Sequence, residues 1–113
     1  MCKVHIPYNE LSIASSMYVK YITNELKNKL PTIEFITEGL SEPTDLGDNE
    51  ILLVIIDGLY IDIRSFYSIL NALILKKTVI VYSKDKTFEL SNGEDVECIT
   101  EIFEALKEIK GTI

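Results

Sequence analysis

Polar side chains suited to ligand binding follow an apolar run in the middle of the chain. Asp57 and Gly58 come directly after six consecutive aliphatic residues, 51–56, and Asp62 follows five residues later. An acid at the end of a buried strand often accepts hydrogen bonds from ribose hydroxyls, but such acids also occur in turns and at helix N-caps. Both roles stay open for Asp57, and for Asp62 the pattern favours the cap.

Three further side chains have chemistry that fits a ligand site. Arg64 has a planar guanidinium that binds phosphate or pairs with a neighbouring acid on a surface. Tyr8 has a ring that stacks on a nucleobase or packs in a core. Ser68 has a hydroxyl with no assured base nearby, so no catalytic residue is assigned. The candidate ligand-binding residues are Pro7, Tyr8, Asn9, Asp57, Gly58, Tyr60, Asp62, Arg64 and Ser68.

Common catalytic signatures do not occur in the sequence, among them G-x-G-x-x-G, the P-loop, H-E-x-x-H and G-x-S-x-G. The single histidine, His5, falls in the middle of a predicted strand, which favours a structural role. Cys2 and Cys98 are far apart and have no C-x-x-C partner, so we expect two reduced, partly buried thiols. No metal and no cofactor is predicted.

Hydrophobic patterning alternates strands with helices along the chain. Strands are predicted at 2–7, where Pro7 marks the end, and at 32–36, 50–57 and 77–82, with an edge strand or loop at 88–90. Helices are predicted at 62–76, at 95–110 and in a first segment that ends before Pro31. Asn9 or Ser12 is expected to cap that first helix, whose apolar stripe contains Leu11, Ala14, Tyr18, Tyr21 or Ile22, and Leu26.

The uninterrupted aliphatic run 51–56 is typical of a central strand that is covered on both faces, as in parallel sheets. The order of elements therefore predicts an α/β fold, a flavodoxin/Rossmann-like three-layer sandwich with a short, mostly parallel sheet of four to five strands. In such sheets ligands bind at the carboxyl ends of the strands. Residues 37–49 are predicted to form a long loop.

Composition limits the classes of function. The 113 residues predict one domain, 1–113, with 47% hydrophobic and 26% charged residues. The net charge of −7 argues against binding to nucleic acid. No apolar run is long enough to span a membrane and no signal peptide is evident, so a cytoplasmic location is expected.

The helix predicted at 62–76 is apolar on nearly every side, which is typical of a helix that is buried all round. The sheet can cover only one side of it. We therefore expect a homodimer through helix 62–76 with two-fold symmetry. The alternative is that the loop 37–49 or the C-terminal helix covers the other side.

Residues 57–82 resemble the nucleoside 2-deoxyribosyltransferase family. The family pattern D-G-x-x-x-D-x-G-x-x-x-E-x-G-x-A, followed by G-K, coincides here with Asp57, Gly58, Asp62, Ala72 and Lys77. The resemblance implies the fold and a cleft that binds a nucleoside or nucleotide ligand. The family's nucleophilic glutamate is replaced by Ser68, and its two helix glycines by Arg64 and Leu70, so the resemblance implies binding without the family's reaction.

A second stretch is similar to TIR domains. Residues 4–9, followed by a helix, look like the opening strand and turn of a TIR domain, and Tyr60 and Ser65 have a fitting spacing. Ile69 stands where NAD-cleaving TIR domains have a glutamate. This resemblance implies a protein-interaction module that works through self-association. A third hypothesis is an active nucleoside or NAD N-glycosidase that uses an acid of the long loop, Glu38 or Glu42.

Overall fold

The computed structural model describes residues 2–39, 46–47, 50–56, 63–83, 87–90 and 98–111. Its strands are β1 Lys3–Tyr8, β2 Glu34–Gly39, β3 Glu50–Ile55, β4 Thr78–Tyr82 and β5 Thr87–Glu89. Its helices are α1 Ile13–Lys29, α2 Ile63–Ile74 and α3 Ile99–Gly111. Over this part of the chain, no helix combines the length and apolar character needed to cross a membrane.

The aliphatic run of the sequence forms β3, which lies in the centre of the sheet. Within the described residues the sheet has five strands in the order β2-β1-β3-β4-β5. The first four are parallel to their neighbours, and β5 pairs with β4 in the antiparallel direction. Every residue from Ile51 to Ile55 is buried. The predicted α/β sandwich, with its mostly parallel sheet and its covered central strand, is confirmed.

Alternation along the strands divides the core into two layers. Residues such as Val4, Leu53 and Ile80 point to the face covered by α1 and α3, where they join one large apolar cluster. Leu52 and Val79 point to the opposite face, which α2 covers with Ile69 and Ala72. The C-terminal helix therefore does not pack against α2, and that alternative from the sequence is wrong.

Helix α1 begins at a serine cap and buries only the C-terminal part of the predicted stripe. Ser12 is the N-cap, and its hydroxyl accepts a hydrogen bond from the Ser15 amide at 3.3 Å. The buried residues are Val19, Ile22, Thr23 and Leu26, whereas the predicted positions Leu11 and Ala14 are exposed. The prediction was wrong there because only the C-terminal half of α1 lies on the sheet. The helix ends at Lys29, two residues before Pro31, as predicted.

The first two strands extend further than the sequence predicts. Strand β1 continues through Pro7 to Tyr8, and β2 covers Glu34–Gly39 instead of 32–36. The two strands pair in register from Lys3 with Glu34 to Tyr8 with Gly39. This parallel ladder stabilises residues 37–39 as strand, although their sequence alone is typical of a loop. Glu38 is thus a strand residue and does not belong to the predicted loop.

The two cysteines form a disulfide, so the expectation of two reduced thiols is wrong. Cys2 precedes β1 and Cys98 precedes α3, with their Cα atoms 6.4 Å apart, which is within the usual range for this bond. Although 96 positions separate them in sequence, β1 and α3 meet in the same apolar cluster. Sequence distance alone did not reveal this contact.

Candidate functional site

The carboxyl ends of the four parallel strands lie along one edge of the sheet. In register, Tyr8 at the end of β1 lies beside Gly39 at the end of β2, and Ile55 lies beside Tyr82. The amide of Ile56 donates a hydrogen bond of 2.8 Å to the carbonyl of Tyr82. Because β2 lies on one side of β1 and β3 on the other, the strand order switches between β1 and β3. In open α/β sheets the crevice at such a switch is where ligands bind.

The ladder between β1 and β3 is short. It comprises three pairs, from Lys3 with Glu50 to His5 with Leu52, while the ladder between β1 and β2 continues to Tyr8. Pro7 lies beyond the β1–β3 pairs and has no amide hydrogen to donate. The carboxyl halves of β1 and β3 lie beyond the paired residues of that ladder. Their main-chain groups therefore flank the switch point.

Local hydrogen bonds shape the turn that leaves β1. The side-chain oxygen of Asn9 accepts a 3.0 Å hydrogen bond from the Leu11 amide, and its carbonyl accepts one of 3.1 Å from the Ser12 amide. This Asx-type turn carries the chain directly to the cap of α1. Asn9 therefore has a demonstrable structural role at the edge where the sequence predicts a ligand contact.

Glu10 is a residue of this edge that the sequence reasoning missed. Its carboxylate lies against Gly39, so closely that a β-carbon at position 39 would be 2.9 Å from the Glu10 Cδ atom. A β-carbon at position 39 would therefore displace the carboxylate from its place over the end of β2. An acid directly after a strand that ends near a switch point was the available signal. Gly39 itself falls in the segment 37–49, which the sequence predicts to be a loop.

The other predicted site residues are distributed as follows. Pro7 is buried within β1, and Tyr8 is half-buried and packs against the cluster under α1 and α3. Ser68 is half-buried in the second turn of α2. Arg64 lies in the first turn of α2, but its side chain is outside the described residues. Four predicted residues also fall outside them: Asp57, Gly58, Tyr60 and Asp62.

His5 lies between two carboxylates that come from neighbouring strands. Its Nδ1 atom is 2.6 Å from Oε1 of Glu38 on β2, and its Nε2 atom contacts Oε1 of Glu50 on β3. In register, His5 is next to Leu52, so the ring points to the same face as α2. The ring is buried, and each carboxylate retains a small exposed fraction. We refer to Glu38, His5 and Glu50 as the histidine cluster.

The hydrogen-bonding capacity of the three side chains favours a structural role for the histidine cluster. An ionised carboxylate only accepts hydrogen bonds, and a neutral imidazole donates one and accepts one. Both contacts of His5 are hydrogen bonds only when the three groups share two protons. The cluster then joins three adjacent strands, in agreement with the structural role predicted for His5. Among the described residues, no group of three or more metal-binding side chains could hold an ion.

The structure also corrects the position that the N-glycosidase hypothesis gives to Glu38. The sequence offers Glu38 as a loop acid for an N-glycosidase, but the structure places it in β2 with its carboxylate against His5. Glu42, the other acid of that hypothesis, lies outside the described residues.

Tyr82, at the carboxyl end of β4, is fully buried in the large apolar cluster. Burial raises the pKa of its phenol above 10.0, and a hydrogen bond with Tyr18 partly offsets this effect. The nearby Tyr21 raises the pKa further.

A shallow cleft of about 150 Å³ lies at the opposite end of the molecule. It is lined by the end of α1 and by α3, with Lys29 and Glu108 forming a 2.9 Å salt bridge beside it. The chain leaves α1 after Lys29 and enters β2 at Glu34, so the end of α1 is close to the amino end of β2. The cleft is therefore at the amino ends of the strands. It is therefore separate from the switch point.

Comparisons of this chain with protein-family models, with curated proteins and with solved structures find no match. The structure itself defines the class, an α/β sandwich compatible with the flavodoxin/Rossmann-like architecture. The resemblances to deoxyribosyltransferases and to TIR domains stay predictions.

Proposed function

We propose that this chain binds a small ligand of the nucleoside or nucleotide class at the switch point between β1 and β3. The proposal is based on the strand order, in which β2 and β3 lie on opposite sides of β1. In open α/β sheets such a strand order leaves a crevice at the carboxyl ends, so the proposal needs no sequence motif.

The described residues at this edge have the chemistry for such a ligand. The Glu10 carboxylate accepts hydrogen bonds, which suits the hydroxyls of a ribose or deoxyribose. Tyr8, at the end of β1, is half-buried and contributes an aromatic ring to the same edge. The Glu10 carboxylate lies against Gly39 at the end of β2. Together these residues would line the pocket on the side of β1 that faces β2.

The proposal is for binding without transfer of the sugar. Ser68 stands where the resembled deoxyribosyltransferases have their nucleophilic glutamate, and a serine hydroxyl needs an activating base to attack. The carboxylate of Glu38 is held by His5 on the sheet face that α2 covers in part. Release of free base from thymidine, adenosine or NAD by the purified protein would contradict this part of the proposal.

Thermal denaturation with a panel of thymidine, adenosine, AMP and NAD tests the binding itself. A ligand present at ten times its Kd stabilises the folded state by about 1.4 kcal/mol, which corresponds to a Tm increase of several degrees for a domain of this size. We expect at least one member of the panel to give such an increase at millimolar concentration. No increase with any of the four would overturn the proposal.

Two variants connect the binding to the described edge. Glu10→Gln removes the charged acceptor and is expected to weaken binding roughly tenfold, since hydrogen bonds to charged groups contribute about 1.5–3 kcal/mol. Gly39→Ala pushes the same carboxylate aside and should give a similar loss. The matched control is Glu101→Gln, the same chemical change at the cleft on the amino side, which should leave the affinity unchanged.

A further inference from the structure

The outer surface of α2, together with the residue that follows the helix, exposes five large apolar side chains. The inner face, with Ser65, Ile69 and Ala72, is buried against the sheet. The outer surface consists of Phe66, Tyr67, Leu70, Ile74 and Leu75, which are 46%, 61%, 39%, 76% and 54% exposed. An apolar helix face of this kind on a folded domain marks an interaction site.

The amount of apolar surface fits one half of a standard protein interface. Side chains of these sizes and exposures present on the order of 500 Å², given that a whole aromatic side chain has about 150–250 Å². A standard interface buries about 800 Å² per partner, and about 65% of its core is apolar. The outer surface of α2 therefore supplies the apolar core of such an interface, with polar neighbours such as Asn71 for the rim.

The charge distribution favours a second copy of the chain as the occupant. The protein has a net charge of −7, so two copies repel each other through most of their surfaces. From Ser65 to Leu75, however, eleven consecutive residues include no charged side chain. In a two-fold interface a charged side chain close to the axis faces its own copy, which is unfavourable. A face free of charge avoids that cost.

Helix α1 provides the contrast. It also exposes apolar side chains, among them Ile13 and Met17, but the exposed Lys20 follows Met17 by three residues on the same helix. A two-fold axis beside Lys20 would bring two ammonium groups together. The two helices are on opposite faces of the sheet, so the two surfaces are independent.

We propose that two copies of this chain form a dimer by antiparallel packing of their α2 helices around a two-fold axis beside Leu70. Phe66, Leu70 and Ile74 are spaced by four residues and form one ridge of the helix. With the axis at Leu70, Phe66 of each copy packs against Ile74 of the other, and the two Leu70 side chains meet. This inference does not depend on the proposed ligand site.

Sedimentation equilibrium of the full chain tests the dimer. We expect the parent protein to be a dimer at micromolar concentration. Leu70→Glu sets two carboxylates against each other at the axis and should weaken association at least a hundredfold. Met17→Glu makes an equivalent change on the exposed surface of α1 and should leave the dimer intact.

A charge-pairing experiment distinguishes a lost interface from a lost fold. Leu70→Glu and Leu70→Lys are each expected to be monomeric, and an equimolar mixture should restore dimers because opposite charges then meet at the axis. A parent protein that is monomeric at 100 µM would overturn the proposal. So would a dimer that survives Leu70→Glu but dissociates with Met17→Glu, or a mixture that stays monomeric while both variants keep the parent's circular dichroism.

Discussion

The Nδ1 atom of His5 lies 2.6 Å from Oε1 of Glu38, and this contact ties the middle of β1 to the carboxyl end of β2. The other ring nitrogen makes the corresponding contact with Glu50 at the start of β3. The histidine cluster thus spans the strand pair at which the sheet order switches. Since α2 packs mainly on β3 and β4, these polar contacts stabilise the neighbouring half of the same face.

Replacing His5 by leucine should destabilise the fold. The change leaves two largely buried carboxylates near each other without their shared donor, which we expect to cost about 2–4 kcal/mol. Urea denaturation measures this loss as a lower midpoint with an unchanged slope. Lys29→Met breaks the more exposed salt bridge to Glu108 and should cost less than about 1 kcal/mol. Equal small effects of the two variants would contradict the structural role of the cluster.

Reduction of the bond between Cys2 and Cys98 should lower the thermal stability. The bond closes a loop of about 100 residues, and disulfides of this kind typically contribute about 2–4 kcal/mol. The Tm is therefore expected to fall by about 10–20 °C in dithiothreitol. The double variant Cys2→Ser/Cys98→Ser should have the same low Tm with and without reductant. Alkylation of two thiols in the native, unreduced protein would contradict the bond.

Lys76→Gly should stabilise the protein. Lys76 has a φ of 60° at the end of α2, where its amide bonds to the Leu73 carbonyl and the Lys77 amide to that of Ala72. This is the left-handed helix end at which glycine avoids the strain of a β-carbon. Glycine also increases the conformational entropy of the unfolded chain, which offsets part of this relief. We therefore expect the free energy of unfolding to rise by about 0.5–1 kcal/mol. Lys107→Gly, within the exposed face of α3, should instead lose about 1 kcal/mol, and two losses would contradict the assignment.

Tyr82 should make the stability fall at alkaline pH. Burial holds its pKa in the folded protein above the value of 10.0 for the unfolded chain, so folding favours the neutral phenol. This contribution is fully present below pH 10 and is lost as the pH rises through the folded pKa. Free energies of unfolding between pH 8 and 11 should therefore decline less for Tyr82→Phe than for the parent. Parallel declines for the two proteins would contradict the prediction.

The central strand and the layer order were predictable because a run of aliphatic residues has few other stable environments. Residues 51–56 and the final helix carry that signal strongly. The ends of β2 were not predictable, because Glu38 and Gly39 form strand only through pairing with β1. The contacts of His5 with Glu38 and Glu50 depend on the same register. Long-range contacts such as these, and the disulfide, leave no local pattern in the sequence.

The candidate site was predicted in outline from topology and not from side chains. The carboxyl edge and the residues Tyr8 and Asn9 were expected there, but Asn9 proves to be engaged in its own turn. Glu10 was missed because its position depends on the close approach of Gly39, which belongs to a different strand.

A two-dimensional ¹⁵N–¹H NMR titration with thymidine and with adenosine tests the ligand site most directly. We expect concentration-dependent shifts in the backbone amides of Tyr8, Asn9, Glu10 and Gly39, with those around Lys29 and Glu101 unchanged. The absence of shifts at millimolar nucleoside, or shifts confined to the cleft at the amino ends, would contradict it.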